Sequence, residues 1–234
     1  MDGSSISLLV PACNEETTLA SVVERGMAVL QQCSSDFEII ILDDASTDGT
    51  AAVIEELHRK YPEHIRALHH ENNQGVAATF EELYRAASKE YVFLVSGDGQ
   101  YPPEALLQCL PLAERHDIIV CQRAKKPYRG YRKVVSWGFR WLPKILFGVD
   151  LYDSGSIKLV KRTIFDDVPV TSQSVFVEAE RLIRASRKGY QIGRVDIDQA
   201  PRSAGTERGA KAGLVIRAVG DMLSLWWRLQ REKR

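Results

Sequence analysis

Four short segments concentrate carboxylates, amides, hydroxyls and glycines. They are Pro11-Ala-Cys-Asn-Glu-Glu16, Asp43-Asp-Ala-Ser-Thr-Asp-Gly-Thr50, Asn72-Asn-Gln-Gly75 and Ser96-Gly-Asp-Gly-Gln-Tyr-Pro-Pro103. Oxygen-bearing side chains of these types ligate hard cations, and glycine lets the backbone come close to a ligand. Taken singly, each segment has a plainer reading: Asp48-Gly49 suits a turn or helix start, and an aspartate after a strand often caps. Their placement argues for a single site, because each follows an apolar run: Ile6–Val10, Phe37–Leu42, Ile65–His69 and Tyr91–Val95.

Between those runs lie segments with helical spacing: Glu16–Gln32, Thr50–Lys60, Val76–Ser88 and Pro102–Arg115, with a further apolar run at Ile118–Cys121. Apolar strands alternating with amphipathic helices predict βαβ units, hence an α/β fold with a mostly parallel sheet. Such sheets bind ligands beyond the carboxyl ends of their strands, which is where all four segments fall. Pro11 is expected to end the first run. The second half is less regular. It predicts helices over Tyr131–Phe147, Lys161–Asp166, Val175–Lys188 and Ala210–Gln230, strands over Ile157–Val160 and Gln191–Gln199, and a loop at Gly205–Gly209.

On these motifs, together with Val10 and Asn73-Gln-Gly75, the chain resembles glycosyltransferase family 2, inverting enzymes of the GT-A fold. The resemblance is strong over about the first 125 residues. It continues more weakly through Arg132-Lys-Val-Val-Ser136, Asp153-Ser-Gly155 and Gly189-Tyr-Gln-Ile192, where it is most similar to the dolichol-phosphate mannose synthase and polyprenyl-phosphate glycosyltransferase subgroup. It implies a GT-A domain with a Rossmann-like sheet and a smaller C-terminal acceptor-side region. The expected division is residues 1–125 for the nucleotide sugar, 126–209 for the acceptor and 210–234 as an amphipathic helix.

The resemblance also implies roles. Pro11, Ala12 and Glu15 line the base and ribose pocket. Asp43 accepts from the base, with Asp44 the second choice, and Gly75 lets the chain pass the nucleotide. Asp98 matches the second acid of the family's Asp-x-Asp motif and Gln100 a further oxygen ligand, for Mg²⁺ or Mn²⁺ on the diphosphate of a GDP- or UDP-sugar. Ser96 stands where the family has its first acid. A hydroxyl carries no charge, so weaker metal binding is expected. Arg123 and Arg132 match arginines that contact an acceptor phosphate, and Asp153 and Glu178 match acidic positions. Glu178 has an equal reading as a salt-bridged surface acid. Arg202 and Gly205 match a loop that closes over the diphosphate, whereas Glu207 and Arg208 depart from its pattern.

From Ile118 to Val149 there is no acid, yet the span holds eight lysines and arginines interleaved with aromatics. Net charge is zero over the whole chain, so this positive charge is local and fits an anionic acceptor or membrane surface rather than nucleic acid. A phosphate monoester is largely dianionic at neutral pH and needs no general base. Consistently, the family's Glu-Asp base motif is absent. The leading expectation is transfer to a polyprenyl or dolichyl phosphate. The alternatives are a hydroxyl acceptor or a catalytically silent nucleotide-sugar binder. No GxGxxG follows the first strand, which disfavours a dinucleotide oxidoreductase.

The four cysteines fit no zinc spacing and read as small buried residues in a reducing, cytoplasmic setting. No signal peptide or membrane-spanning run is expected. The tail Trp226-Trp-Arg-Leu-Gln-Arg-Glu-Lys-Arg234 reads either as a core-packed helix end or as a peripheral membrane contact.

Overall fold

Most of the apolar runs become strands buried on both faces, as all seven residues of the second strand illustrate, whereas Ile65–His69 forms a partly exposed edge strand. The computed structural model describes residues 4–124, 131–199 and 212–231. In chain order the first half is β1 (Ile6–Ala12), α1 (Leu19–Cys33), β2 (Phe37–Asp43), α2 (Thr50–Lys60), β3 (Ile65–His69), α3 (Val76–Ala86), β4 (Tyr91–Leu94), α4 (Ala105–Cys109), a 3₁₀ turn (Leu110–Leu112) and β5 (Ile118–Arg123). The second half is α5 (Tyr131–Phe147), β6 (Lys158–Lys161), α6 (Thr163–Asp167), α7 (Val177–Arg187), β7 (Ile192–Ile197) and α8 (Ala212–Arg231).

All seven strands form one sheet in the order β3-β2-β1-β4-β6-β5-β7. Every pairing is parallel except those of β6, which runs antiparallel between β4 and β5. Alternate residues of each strand face opposite layers. On one face Leu8, Val10, Ile39, Ile41 and Phe93 pack with α1, α2 and α4. On the other, Leu9, Ile40, Leu42, Val92 and Leu94 pack under α3. Further along that second face, Ile118, Val120 and Val160 pack with α7 and α8. The mostly parallel α/β sheet flanked by helices is as expected.

Three local departures have physical causes. β1 runs on through Pro11, because its ladder with β4 stops at Leu9–Leu94 and the missing N–H breaks no paired bond there. The helix expected over Pro102–Arg115 is short and gives way to the 3₁₀ turn at Pro111, which lacks the N–H that an α-helix would use. Only Cys109 and Cys121 are fully buried, in sulfur contact at 3.4 Å. Cys13 and Cys33 are half-buried, so the expectation of four buried cysteines fails for these two.

Candidate active site

The three central strand ends are stitched together. Asp44 N–H donates to the Ala12 carbonyl at 2.9 Å and Gly97 N–H to the Pro11 carbonyl at 3.1 Å. Residues after β2, β1 and β4 therefore share one rim. Asp43 and Asp98 stand on it on either side of the β1 end. A Cβ on Gly97 would sit 3.3 Å from the Pro11 carbonyl and 3.1 Å from Leu19, so this close approach of the loop after β4 favours glycine.

The loops after β1 and β2 are welded by side chains. Asn14 N–H donates to Ser46 Oγ at 2.9 Å, and Thr47 N–H to Asn14 Oδ1 at 2.8 Å. Gly49 N–H donates to Glu16 Oε2 at 2.7 Å. Glu15 is buried, and its N–H donates to Thr50 Oγ1 at 2.8 Å. Asn14 and Ala45 both adopt left-handed backbone, with φ of 59° and 55°. That conformation is tolerated by asparagine and strained for alanine. Strain of this kind gathers where a binding surface is preorganised.

The two neighbouring aspartates differ in what they bind. Asp43 accepts the N–H and O–H of Ser46 through Oδ1, at 3.0 and 2.5 Å, and its Oδ2 lies 3.5 Å from His69 Nδ1. Asp44 is fully engaged in holding the next loop. It accepts from Gln74 N–H at 2.7 Å, Gly75 N–H at 2.9 Å and His70 Nδ1 at 2.7 Å. His70 spans to Glu82 on α3 at 2.9 Å. Burial alone would lower the His70 pKa, but its bonds to the two carboxylates outweigh that and raise it. Burial alone would raise the Asp44 pKa, but His70 and the two N–H donors outweigh it and lower it. Asp44 thus positions the 72–75 loop, while Asp43 presents its other oxygen. Gly75 has φ +82°, with open space where a Cβ would stand, so backbone conformation requires the glycine.

Asp98 is buried at the rim, and its Oδ1 accepts Gln100 N–H at 3.0 Å. Among the described residues no three His, Cys, Asp or Glu side chains converge as a metal cage. One carboxylate beside a hydroxyl (Ser96) and an amide (Gln100) is a sparse, all-oxygen set. It fits Mg²⁺ or Mn²⁺ whose other ligands are phosphate oxygens and water.

Of the residues expected to meet the acceptor, the structure brings Arg123 and Asp153 together as a fork, Nε to Oδ2 at 2.6 Å and Nη2 to Oδ1 at 2.8 Å, both largely buried. Asp153 therefore orients Arg123. Arg132 is on α5, but its side chain lies outside the described residues, as do Arg202 and Gly205–Gly209. Glu178 is not a surface acid: it is buried and paired with Lys158 at 2.7 Å. Sequence reasoning missed His70, Glu82, Asn14 and Ser46 as positioning residues. Two of them, His70 and Ser46, touch an expected site residue, and the His69-His70 pair at the end of β3 was the available signal.

Residues 7–169 match the model of glycosyl transferase family 2. The chain belongs to that family. This member is 27% identical over 134 residues to an undecaprenyl-phosphate 4-deoxy-4-formamido-L-arabinose transferase of Proteus mirabilis, covering 57% of this chain and 41% of the relative. It is 26% identical over 239 residues to a dodecaprenyl-phosphate galacturonate synthase of Rhizobium johnstonii, covering 98% of the chain and 68% of that protein. The first of these relatives is thus spanned over well under half its length. Glucosyl-3-phosphoglycerate synthase from Mycobacterium tuberculosis, solved with Mn²⁺, UDP and phosphoglyceric acid, superposes with a TM-score of 0.74 at 22% identity, covering 96% of this chain and 79% of that one. That likeness shows the shared GT-A fold. No helix among the described residues is long and apolar enough to cross a membrane.

Proposed function

We propose that this family 2 member transfers a sugar from a nucleoside-diphosphate donor to an acceptor bearing a phosphate group. The observation that carries the reading is the stitched rim, which sets Asp43 and Asp98 at the ends of β2 and β4, on either side of β1, on a preorganised surface. In this reading Pro11, Ala12, Glu15 and Asp43 receive the nucleoside. Asp98 and Gln100 hold Mg²⁺ or Mn²⁺, which neutralises charge on the leaving diphosphate, and Arg202 reaches the diphosphate. Arg123, held in register by Asp153, and Arg132 meet the acceptor phosphate. Arginine suits this through its planar donor fork.

Phosphate is the feature common to the acceptors that the relatives' names give: a lipid phosphate in the curated enzymes and phosphoglyceric acid in the solved one. The small phosphorylated hydroxyl acceptor has the support of the fold neighbours. A lipid phosphate is favoured by a separate observation. Trp137, Trp141 and Ile145 repeat every four residues along α5 and are exposed, as are Ile216, Leu223 and Trp227 on the adjoining α8. Tryptophans beside Lys144, Arg228 and Arg231 suit a peripheral contact with an anionic membrane.

The test is a transfer assay with UDP- and GDP-sugars, Mn²⁺ and two matched acceptor pairs: undecaprenyl phosphate against undecaprenol, and 3-phosphoglycerate against glycerate. Transfer is expected only to a phosphorylated member, and Arg132→Ala should raise the acceptor KM about tenfold or more while leaving donor binding intact. Equal use of an unphosphorylated partner would overturn the acceptor assignment. Whichever phosphorylated compound is used decides between lipid and small molecule.

A further inference from the structure

A pocket of about 180 Å³ lies between α3 and α7 against the sheet face formed by β4 and β6, and opens beside Ser96. Its mouth is formed by Val76, Gly155 and Val175, all exposed. It stands two residues from Asp98, where the sugar of a bound donor would begin. Phe80, Val92, Leu94, Val160 and Val177 make apolar walls. Apolar cavities of ~150 Å³ hold a benzene ring, so this one admits roughly six to eight non-hydrogen atoms.

The floor is polar and incompletely paired. Lys158 Nζ is 2.7 Å from Glu178 Oε2 and donates to the Ser156 carbonyl at 2.8 Å. Glu178 Oε1 and Ser156 Oγ have no hydrogen-bond partner among the described residues, though both residues are more than nine-tenths buried. Burial pushes the Glu178 pKa up, but the charges of Lys158 and Arg181 outweigh it and hold the group ionised. The Tyr84 hydroxyl on the pocket wall lies beside this carboxylate and also favours its ionised form; Oε1 keeps a lone pair for a further donor, and Ser156 can give or take one bond. Leaving buried groups of this kind unpaired is costly. A single hydroxyl in place of a larger substituent would answer Glu178 but would leave Ser156 unpaired and the apolar walls unfilled.

We propose that this pocket receives an acylamino substituent of the transferred sugar. The amide N–H faces Glu178 Oε1, the amide carbonyl accepts from Ser156 Oγ, and the small acyl end lies among the valines. The assignment rests on the nucleotide-sugar reading and specifies its donor class. It predicts that formamido- or acetamido-sugars are selected over their hydroxyl counterparts.

Calorimetric titration with Mn²⁺ tests it. UDP and GDP are titrated first, then 2-acetamido and 4-acetamido sugar esters of whichever nucleotide binds, each against its hydroxyl counterpart. One acetamido ester should bind about tenfold tighter than its counterpart. Val175→Trp, at the exposed mouth, should cut that preference to about threefold or less and leave the bare nucleoside diphosphate unaffected. Ser156→Ala should weaken it about three- to tenfold with the melting temperature retained. No preference in the unmodified protein, or a preference that Val175→Trp leaves unchanged, refutes the pocket assignment alone. Failure of both UDP and GDP to bind refutes the nucleotide-sugar reading and the assignment with it.

Discussion

Asp98→Ala should lower sugar transfer about a thousandfold or more, the loss of roughly 4 kcal/mol of transition-state stabilisation. Asp98 is the carboxylate of the loop after β4, and among the described residues no cage of three His, Cys, Asp or Glu side chains converges to take over the metal. Ser96 makes the site less tolerant still, since a hydroxyl brings no charge. The folded state should be little affected. Asp98 closes its own loop through Gln100 N–H, a bond worth about 1 kcal/mol, so the melting temperature should move by only a few degrees. Binding of Mn²⁺ with nucleoside diphosphate should weaken in step with activity. Full activity in this variant would remove Asp98 from the chemistry.

Asp44→Ala should have the opposite profile, with a large cost to stability. It strips three hydrogen bonds from the junction of β2, the 72–75 loop and α3, and leaves His70 buried beside Glu82 alone. Breaking a buried charged pair from one side costs about 3–5 kcal/mol, or roughly 6–20 °C in melting temperature for a chain of this size. The pH dependence has a definite sign. The folded-state pKa of His70 is raised, so its contribution is complete below the unfolded value of about 6.5 and is lost as pH rises through the folded value. The Asp44 pKa is lowered, so its contribution is present above about 3.9 and is lost as pH falls through the folded value. Melting curves should therefore show the largest gap between wild type and variant on the acid side of neutrality, above pH 4. The gap should narrow above neutrality without closing, because the bonds to Gln74 and Gly75 do not titrate. A gap that widens with rising pH would contradict the charged His70 bridge.

Much of this arrangement was legible in the residues. Strands such as β2 read directly because their apolar runs are buried on both faces, and four consecutive strand ends carrying oxygen-rich motifs mark the rim. The antiparallel insertion of β6 was not legible, since a four-residue apolar strand carries no signal of direction. Pro11 read as a stop because the sequence does not show that β1 outruns its ladder with β4. Asp43 and Asp44 are adjacent and chemically identical. Only the fold shows that one is consumed by His70 and the loop amides while the other presents an oxygen. The burial of Glu178 was equally hidden. Helical position alone does not distinguish an acid facing water from one facing Lys158, and the pocket exists only once α3 and α7 are set against the same sheet face.

The rim itself is tested most directly by diffraction from crystals grown with Mn²⁺ and the nucleoside diphosphate that binds, collected at a wavelength where manganese scatters anomalously. The expected result is one manganese peak in the inner sphere of the Asp98 carboxylate, bridged by the diphosphate, with the base against Asp43 and the segment from Pro11 to Glu15. A manganese peak away from Asp98, or a nucleotide that leaves Asp43 in solvent, would mean that the joined ends of β1, β2 and β4 are not the donor site.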